Sequence, residues 1–359
     1  MGTKPLIASG TKLLYHEKQE EKIKLERKIR KKKMREKVMF GKTGLEISQI
    51  TLGTWGIGGA GWDSYPEEDR LDAIRAAVES GITLIDTAPA YNAGEAERYI
   101  GRALEEIGAR DHILLVTKCG NRFIDGKYVR SGKPENIFAE CEDSLRNLRT
   151  DHIDVMLVHW PDPTVPFAET FGALEELKKE GKIRHIGVSN FTKDQLEEVG
   201  KTSEIEVLQL QYSMLHRDNE ELLKWAHAQG VGTMAYGALT GGLLTGRYRT
   251  VETYEPADSR NRFYGKYFQE PYFSRAMKLL DVMQPIADGH DAALAEVALN
   301  WARQKDFVST CVVGAQKRVR VEGNVKCLQW NLSDGEIAEL DHALETIFCD
   351  LNKGNGEKL

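Results

Sequence analysis

Several things are scarce in this chain. No apolar run approaches the roughly 20 residues that a helix needs to cross a bilayer; the longest are strand-sized. A membrane-spanning helix is therefore excluded. The N-terminus has no continuous apolar stretch, so it does not read as a secretory signal. Cysteine is sparse: Cys119, Cys141, Cys311, Cys327 and Cys349 are the only five in 359 residues. Their number is odd, no pair forms CxxC, and none falls into a Cys/His ligand spacing. That reads as reduced thiols of a cytoplasmic protein with no metal site. Cys119 follows Lys118 and is either a reactive thiol or apolar filler. Excess positive charge is missing too. A formal net charge of −6 gives no reason to expect nucleic acid as a partner.

What is present fits a globular chain: 41% hydrophobic and 29% charged residues, with length enough for a large core. Residues 1–37 stand apart. The stretch HEKQEEKIKLERKIRKKKMREK is densely charged, turns basic toward its end and has no apolar stripe. It reads as a solvated helix or a disordered arm. Its role is either a tether to an anionic surface or partner, or none, with translation starting at Met34 or Met39. Residues 38–350 form the folded body, and 351–359 a tail.

From residue 38 the pattern changes. VMFGKTGLEIS predicts a short hairpin around Lys42–Gly44. Strand-like runs then alternate with helical patterns: SQITLGT, GITLIDT, HILLVTK, IDVMLVHW, IRHIGVSN, EVLQLQY, GVGTMAY and FVSTCVVG. The runs are almost continuously apolar, as in a parallel sheet covered by helices. The intervening patterns, EEDRLDAIRAAVES among them, repeat at i, i+3 and i+4. Eight such units close a barrel, whereas a doubly wound sheet usually has five or six. The predicted fold is an α/β (β/α)8 barrel in one domain. A hairpin precedes it and an extra helix, SDGEIAELDHALET, follows it, the latter with a capping box of Ser333 and Glu336. The longest connection, 237–270, follows the seventh strand.

Two glycine motifs mimic nucleotide sites. Gly56-Ile-Gly58-Gly59-Ala-Gly61 matches GxGxxG, and Asp86 lies where a Rossmann fold places its ribose acid. Yet the third glycine leads into WDSYP, and the helix start is marked later by Pro66, Glu67 and Glu68. The glycines read instead as a pliant loop at the barrel mouth. The run from Gly241 to Gly246 has P-loop spacing but continues as Arg247-Tyr248, with no hydroxyl for magnesium. Its amides and arginine suit a phosphate or pyrophosphate.

Three polar residues end apolar strands: Asp86, Lys118 and His159, with Tyr91 five behind Asp86. In a parallel barrel these ends share one face. Separately, each residue has an ordinary structural explanation. Together they form a proton-transfer set. A phenol near pKa 10 is a poor acid at neutral pH. Lys118 is expected to lower that value, with Asp86 as its counter-charge and His159 directing a carbonyl oxygen. Electrons for carbon then come from a nicotinamide hydride.

DTAPAYNAGEAERYIG, LLVTK, VMLVHWPDP, IRHIGVSNF and GGLLTGRY resemble the aldo-keto reductases, over roughly residues 38–347. The HWPDP form is similar to general aldehyde reductases and to bacterial sugar- or inositol-associated members. The resemblance implies a barrel that binds extended NADPH (NADP+) without a Rossmann fold, and a small aldehyde or sugar-like carbonyl as substrate. It makes Asp86, Tyr91, Lys118 and His159 the catalytic tetrad, with Tyr91 the general acid. Ser189, Asn190 and Gln209 would bind the nicotinamide carboxamide, and Tyr236 would stack on its ring. Gly237, Leu239, Gly241 and Arg247 would follow the pyrophosphate. The stretch from Gly314 to Asn324 would hold the adenosine end, Arg320 facing the 2′-phosphate and Asn324 the adenine. Trp55 would wall both cofactor and substrate, with Trp160 in the substrate pocket alongside Tyr91 and His159. Specificity is also expected near Tyr128 and along 262–273.

Some positions depart from the family pattern. Ala238 replaces a proline, Gly323 replaces an acid, and Gln316 stands where a basic or hydroxyl residue is usual. Lys317, Arg318 and Arg320 still favour NADPH, with NADH possible. Two other roles share the same fold: a redox sensor resembling potassium-channel beta subunits, and polyol or sugar oxidation with the machinery reversed.

Overall fold

The computed structural model describes residues 37–124, 127–251 and 254–350. The predicted N-terminal arm, apart from Lys37, and the tail 351–359 lie outside the described residues. The first hairpin pairs β1 (Val38–Met39) antiparallel with β2 (Glu46–Ile47). Its tip, Gly41–Thr43, is a single 3-10 turn. Phe40 and Ile47 are fully buried and pack with Leu84, Val116, Val155 and Met234 inside the barrel. The hairpin thus plugs one end, and the Lys42 amide donates to Gly230 O at 2.8 Å beneath the seventh barrel strand.

The barrel closes with eight parallel strands. They are β3 (Ile50–Gly53), β4 (Leu84–Asp86), β5 (Leu114–Cys119), β8 (Ile153–Val158), β9 (Ile183–Ser189), β10 (Val207–Gln211), β11 (Gly232–Tyr236) and β12 (Thr310–Gly314). All eight predicted runs are strands, and β12 pairs back onto β3. Apolar side chains of both faces are buried, the outer ones under the helices. This is why the strands read as unbroken hydrophobic runs. The helix Glu67–Glu79 starts after Pro66, with three acids in its first turn, where they complement the helix dipole.

Three features were not foreseen. A two-stranded hairpin, β6 (Asn121–Ile124) with β7 (Lys127–Arg130), stands on the mouth after β5. The connection 237–270 contains a 3-10 segment, Thr240–Thr245, and a short helix, Ser259–Tyr264. The helical pattern SRAMKLLDVMQPIA forms the helix Tyr272–Gly289, and a second helix, Leu294–Arg303, follows it before β12, additional to the β-α repeat. The final helix, Asp334–Ile347, is capped by the Ser333–Glu336 box as predicted.

Candidate active site

The four tetrad candidates meet at the C-terminal ends of adjacent strands. Asp86 is the last residue of β4, Lys118 lies one residue before the end of β5, and His159 follows β8. Strands β4, β5 and β8 are hydrogen-bonded neighbours. Lys118 Nζ sits 2.8 and 2.9 Å from the two carboxylate oxygens of Asp86. It also donates to Thr87 O at 2.9 Å and to Tyr91 Oη at 3.2 Å. The ammonium's donors are thereby engaged, and its bond into Oη leaves the phenol's own hydrogen free to point into the mouth. The Tyr91 and His159 rings lie edge to face with centroids 6.1 Å apart.

Electrostatics correct one expectation. The Tyr91 phenol is held well above its ordinary value, first by burial and then by the Asp86 charge. Lys118 does not reverse that direction, because Asp86 takes up most of the ammonium's charge at salt-bridge distance. Burial also depresses Lys118, with Asp86 acting in the opposite direction. His159 is held well below the usual imidazole range by burial, then by Lys118 and Arg130. At neutral pH the site therefore presents a protonated phenol and a neutral imidazole. Burial likewise pushes the Cys119 thiol up, which favours filler over a reactive thiol.

The aromatic wall is continuous. Trp55 stacks on Tyr91 with centroids 6.1 Å apart and meets Trp62 and Phe263 edge-on at 5.3 and 4.8 Å. Gly56 and Gly58 belong to one helical turn, Trp55–Gly58, and not to a loose loop. A Cβ on Gly56 would come within 2.3 Å of Gln316 Nε2, and one on Gly58 within 2.9 Å of Tyr91 O. Asn92 Nδ2 also donates to Gly58 O at 2.8 Å. Here GxGxxG provides clearance.

The predicted cofactor residues line the mouth from β9 round to β12. Ser189 ends β9, and Asn190 follows with φ 63°. Asn190 Nδ2 donates to His159 O and to Ser189 Oγ, each at 3.0 Å. Its Oδ1 accepts from Tyr236 Oη at 3.0 Å. Gln209 is buried on β10, and its Nε2 donates to Asp86 Oδ1 at 2.7 Å. The carboxamide candidate thus reaches the tetrad acid directly. Tyr236 ends β11 half-exposed.

Gly237 and Gly241 have positive φ, and a Cβ on either would press on Tyr264. That buried tyrosine gave no sequence signal. Leu239 is half-buried and Arg247 is exposed over the Tyr248 ring. Gly314 ends β12, Gln316 is buried, and Asn324 ends the helix Arg318–Asn324.

The three cations near Gly314 divide. Arg318 is bound by Asp72 at 2.7 Å and Glu79 at 3.0 Å, and Lys317 lies 3.4 Å from Asp69. Among the described residues Arg320 donates only to neutral groups, Gln316 Oε1 at 3.3 Å and Tyr65 Oη at 3.0 Å. A half-exposed aromatic face, positive-φ glycines and an uncommitted arginine suit a stacked ring, a diphosphate and a further phosphate.

Residues 49–345 match the aldo/keto reductase family. The chain belongs to that family. An aldo-keto reductase of Bacillus subtilis, YhdN, is 36% identical over 86% of this chain and 93% of its own length. The NADH-specific methylglyoxal reductase of Escherichia coli is 34% identical over 86% of this chain and 99% of its own. Among solved structures, a glycerol dehydrogenase from Gluconobacter oxydans superposes with a TM-score of 0.78 at 32% identity. That alignment covers 88% of this chain and 96% of the other. This aldo-keto reductase is an NAD(P)-dependent oxidoreductase acting on carbonyl compounds. No helix among its described residues is long and apolar enough to cross a membrane.

Proposed function

We propose that this reductase converts small aldehydes or sugar-like carbonyls to alcohols with NADPH, Tyr91 supplying the proton. The contact carrying this reading is the bond from Lys118 Nζ to Tyr91 Oη at 3.2 Å. A bound nicotinamide supplies the hydride. The protein's part is to place and protonate the carbonyl oxygen. Tyr91 holds its proton because burial disfavours phenolate. As the proton leaves, the ammonium already aimed at Oη stabilises the anion that remains. The neutral His159 offers a ring N–H to the same oxygen and fixes its direction. Ser189, Asn190 and Gln209 are the candidate carboxamide ligands, and Tyr236 is the stacking face.

The NADPH preference rests on Arg320, since Lys317 and Arg318 face acids of the helix Glu67–Glu79. A second reading, oxidation of a polyol, is favoured by the glycerol dehydrogenase relative. It uses the same groups in reverse, with Tyr91 phenolate as base. A panel of aldehydes and polyols with NADPH, NADH and their oxidised forms, followed at the nicotinamide absorbance, tests both readings. Fast NADPH oxidation with methylglyoxal or 4-nitrobenzaldehyde is expected. Turnover with glycerol and NADP+ alone would reverse the direction, and turnover with NADH alone would remove the role given to Arg320.

A further inference from the structure

Arginines at the mouth fall into two groups. On the β6–β7 hairpin, Arg122 faces Glu140 at 3.8 Å and Asp143 at 4.0 Å. Eight residues on, Arg130 has no carboxylate within ion-pair distance among the described residues. Instead its guanidinium lies over the Trp160 ring, 4.8 Å from the centroid. On the long connection, Arg260 is clamped by Asp63 at 2.7 Å and Asp258 at 2.6 Å. Two residues later Arg262 has no such partner among the described residues and lies 5.3 Å from the Phe263 centroid. A fully solvated arginine needs no explanation. These two rest on aromatic side chains adjoining the reaction centre.

Trp160 follows His159 in sequence, and Phe263 packs on Trp55, which stacks on Tyr91. Tyr128 lies near Arg262, whose charge acts on its phenol against the larger effect of burial, and Tyr128 Oη donates to Ala90 O at 2.8 Å. Arg130 also contributes, after burial and Lys118, to keeping His159 neutral. Arg130, on the hairpin, thus acts on the imidazole of the reaction centre, and Arg262, on the long connection, reaches the Trp55–Tyr91 stack through Phe263. Planar guanidinium groups held against aromatic faces lose little freedom when they bind a carboxylate or phosphate.

We propose that Arg130 and Arg262 form an anion-binding rim that selects carbonyl substrates carrying a carboxylate or phosphate group. The proposal rests on the reductase reading above and names its substrate class. The rim lies over Trp160 and Phe263 and does not include Arg320, the residue proposed above for the cofactor's extra phosphate.

The test uses the full-length protein at saturating NADPH with two matched substrate pairs. One is succinic semialdehyde and butanal; the other is glyceraldehyde 3-phosphate and glyceraldehyde. The charged member of at least one pair should show a kcat/KM about tenfold or more higher, the scale of a hydrogen bond to a charged group. Preference in only one pair identifies the anion as carboxylate or phosphate. Arg130→Gln and Arg262→Gln should each remove most of the preference through KM, the charged member losing far more kcat/KM than the neutral one. Arg130→Lys and Arg262→Lys should retain part of it, and added KCl should weaken it.

Equal kcat/KM within both pairs would overturn the rim, as would variants that lose both members equally. NADPH affinity, read by nicotinamide fluorescence, closes the remaining alternative. If Arg262→Gln weakens NADPH and leaves the aldehydes untouched, Arg262 is a cofactor ligand and the rim is overturned. Absence of turnover on all four compounds and on 4-nitrobenzaldehyde would instead defeat the reductase reading itself.

Discussion

Asp86 and Asp154 are both buried carboxylates on barrel strands, 2% and 1% exposed. Asp154 lies near the start of β8, at the base. Its oxygens accept from Arg184 at 2.9 Å, Arg110 at 3.1 Å and the Leu115 amide at 2.9 Å. These bonds tie it to the neighbouring strands β5 and β9. Asp86 lies at the end of β4, at the mouth. It holds Lys118 and accepts from Gln209, but the network continues through Lys118 to a phenol that faces the opening. The base acid fastens strands together. The mouth acid keeps an ammonium charged and pointed at Tyr91. Burial and pairing are alike; what differs is whether the network ends on a proton donor at the mouth.

The sharpest way to break this contrast is Tyr91→Phe. It removes the donor and leaves the Lys118–Asp86 pair in place. Reduction should fall by about 10³-fold or more, while NADPH binding and unfolding stability stay near wild type. Near-normal turnover would mean that another group gives the proton.

Asp154→Ala makes the opposite cut. Stability should drop by about 3 kcal/mol in denaturant titrations, because two arginines and an amide lose their acceptor. The kcat of the folded enzyme should not change; a loss of kcat comparable to that of Tyr91→Phe would erase the distinction between base and mouth.

Glu140 is an intermediate case. It is 3% exposed and accepts the Gly120 amide at 2.5 Å, but its Oε1 has no hydrogen-bond partner among the described residues. Burial raises its carboxyl to about 7. A carboxyl that binds its proton more tightly when folded stabilises the protein most below its unfolded pKa. That contribution declines as pH rises from about 4.5 to about 7, by about 3 kcal/mol in total. Glu140→Gln should flatten the fall in stability across this window. An unchanged slope in melts at pH 5 and pH 8 would show that Glu140 ionises as freely folded as unfolded.

Arg320→Ala carries the smallest expected effect. It should weaken NADPH about tenfold and NADH little, measured by fluorescence titration. Equal losses would remove the 2′-phosphate contact.

Much of the barrel was legible because burial on both faces makes parallel strands continuous apolar runs. The tetrad positions were legible because polar residues interrupt those runs at one end. The β6–β7 hairpin was not. Lys127–Arg130 is exposed throughout, so burial left no alternation there, and the Asp-Gly pair at 125–126 was the turn signal overlooked. Nor did the sequence reveal that Arg318 is committed to Asp72 and Glu79, more than 230 residues away in the chain. The sign of the Tyr91 shift was misjudged for a related reason. Residue types showed an ammonium beside a phenol and Asp86 as its counter-charge, but not that burial of the phenol would outweigh the ammonium.

The turn Trp55–Gly58 links the barrel's seam to its reaction centre. Gly56 abuts Gln316 from beyond the last strand, and Gly58 abuts the backbone of Tyr91. A single methyl group at residue 58 would press on the backbone that carries the phenol, and one at residue 56 would push the Gln316 amide aside. Catalytic alignment in this enzyme is thus partly set by empty space beside Tyr91.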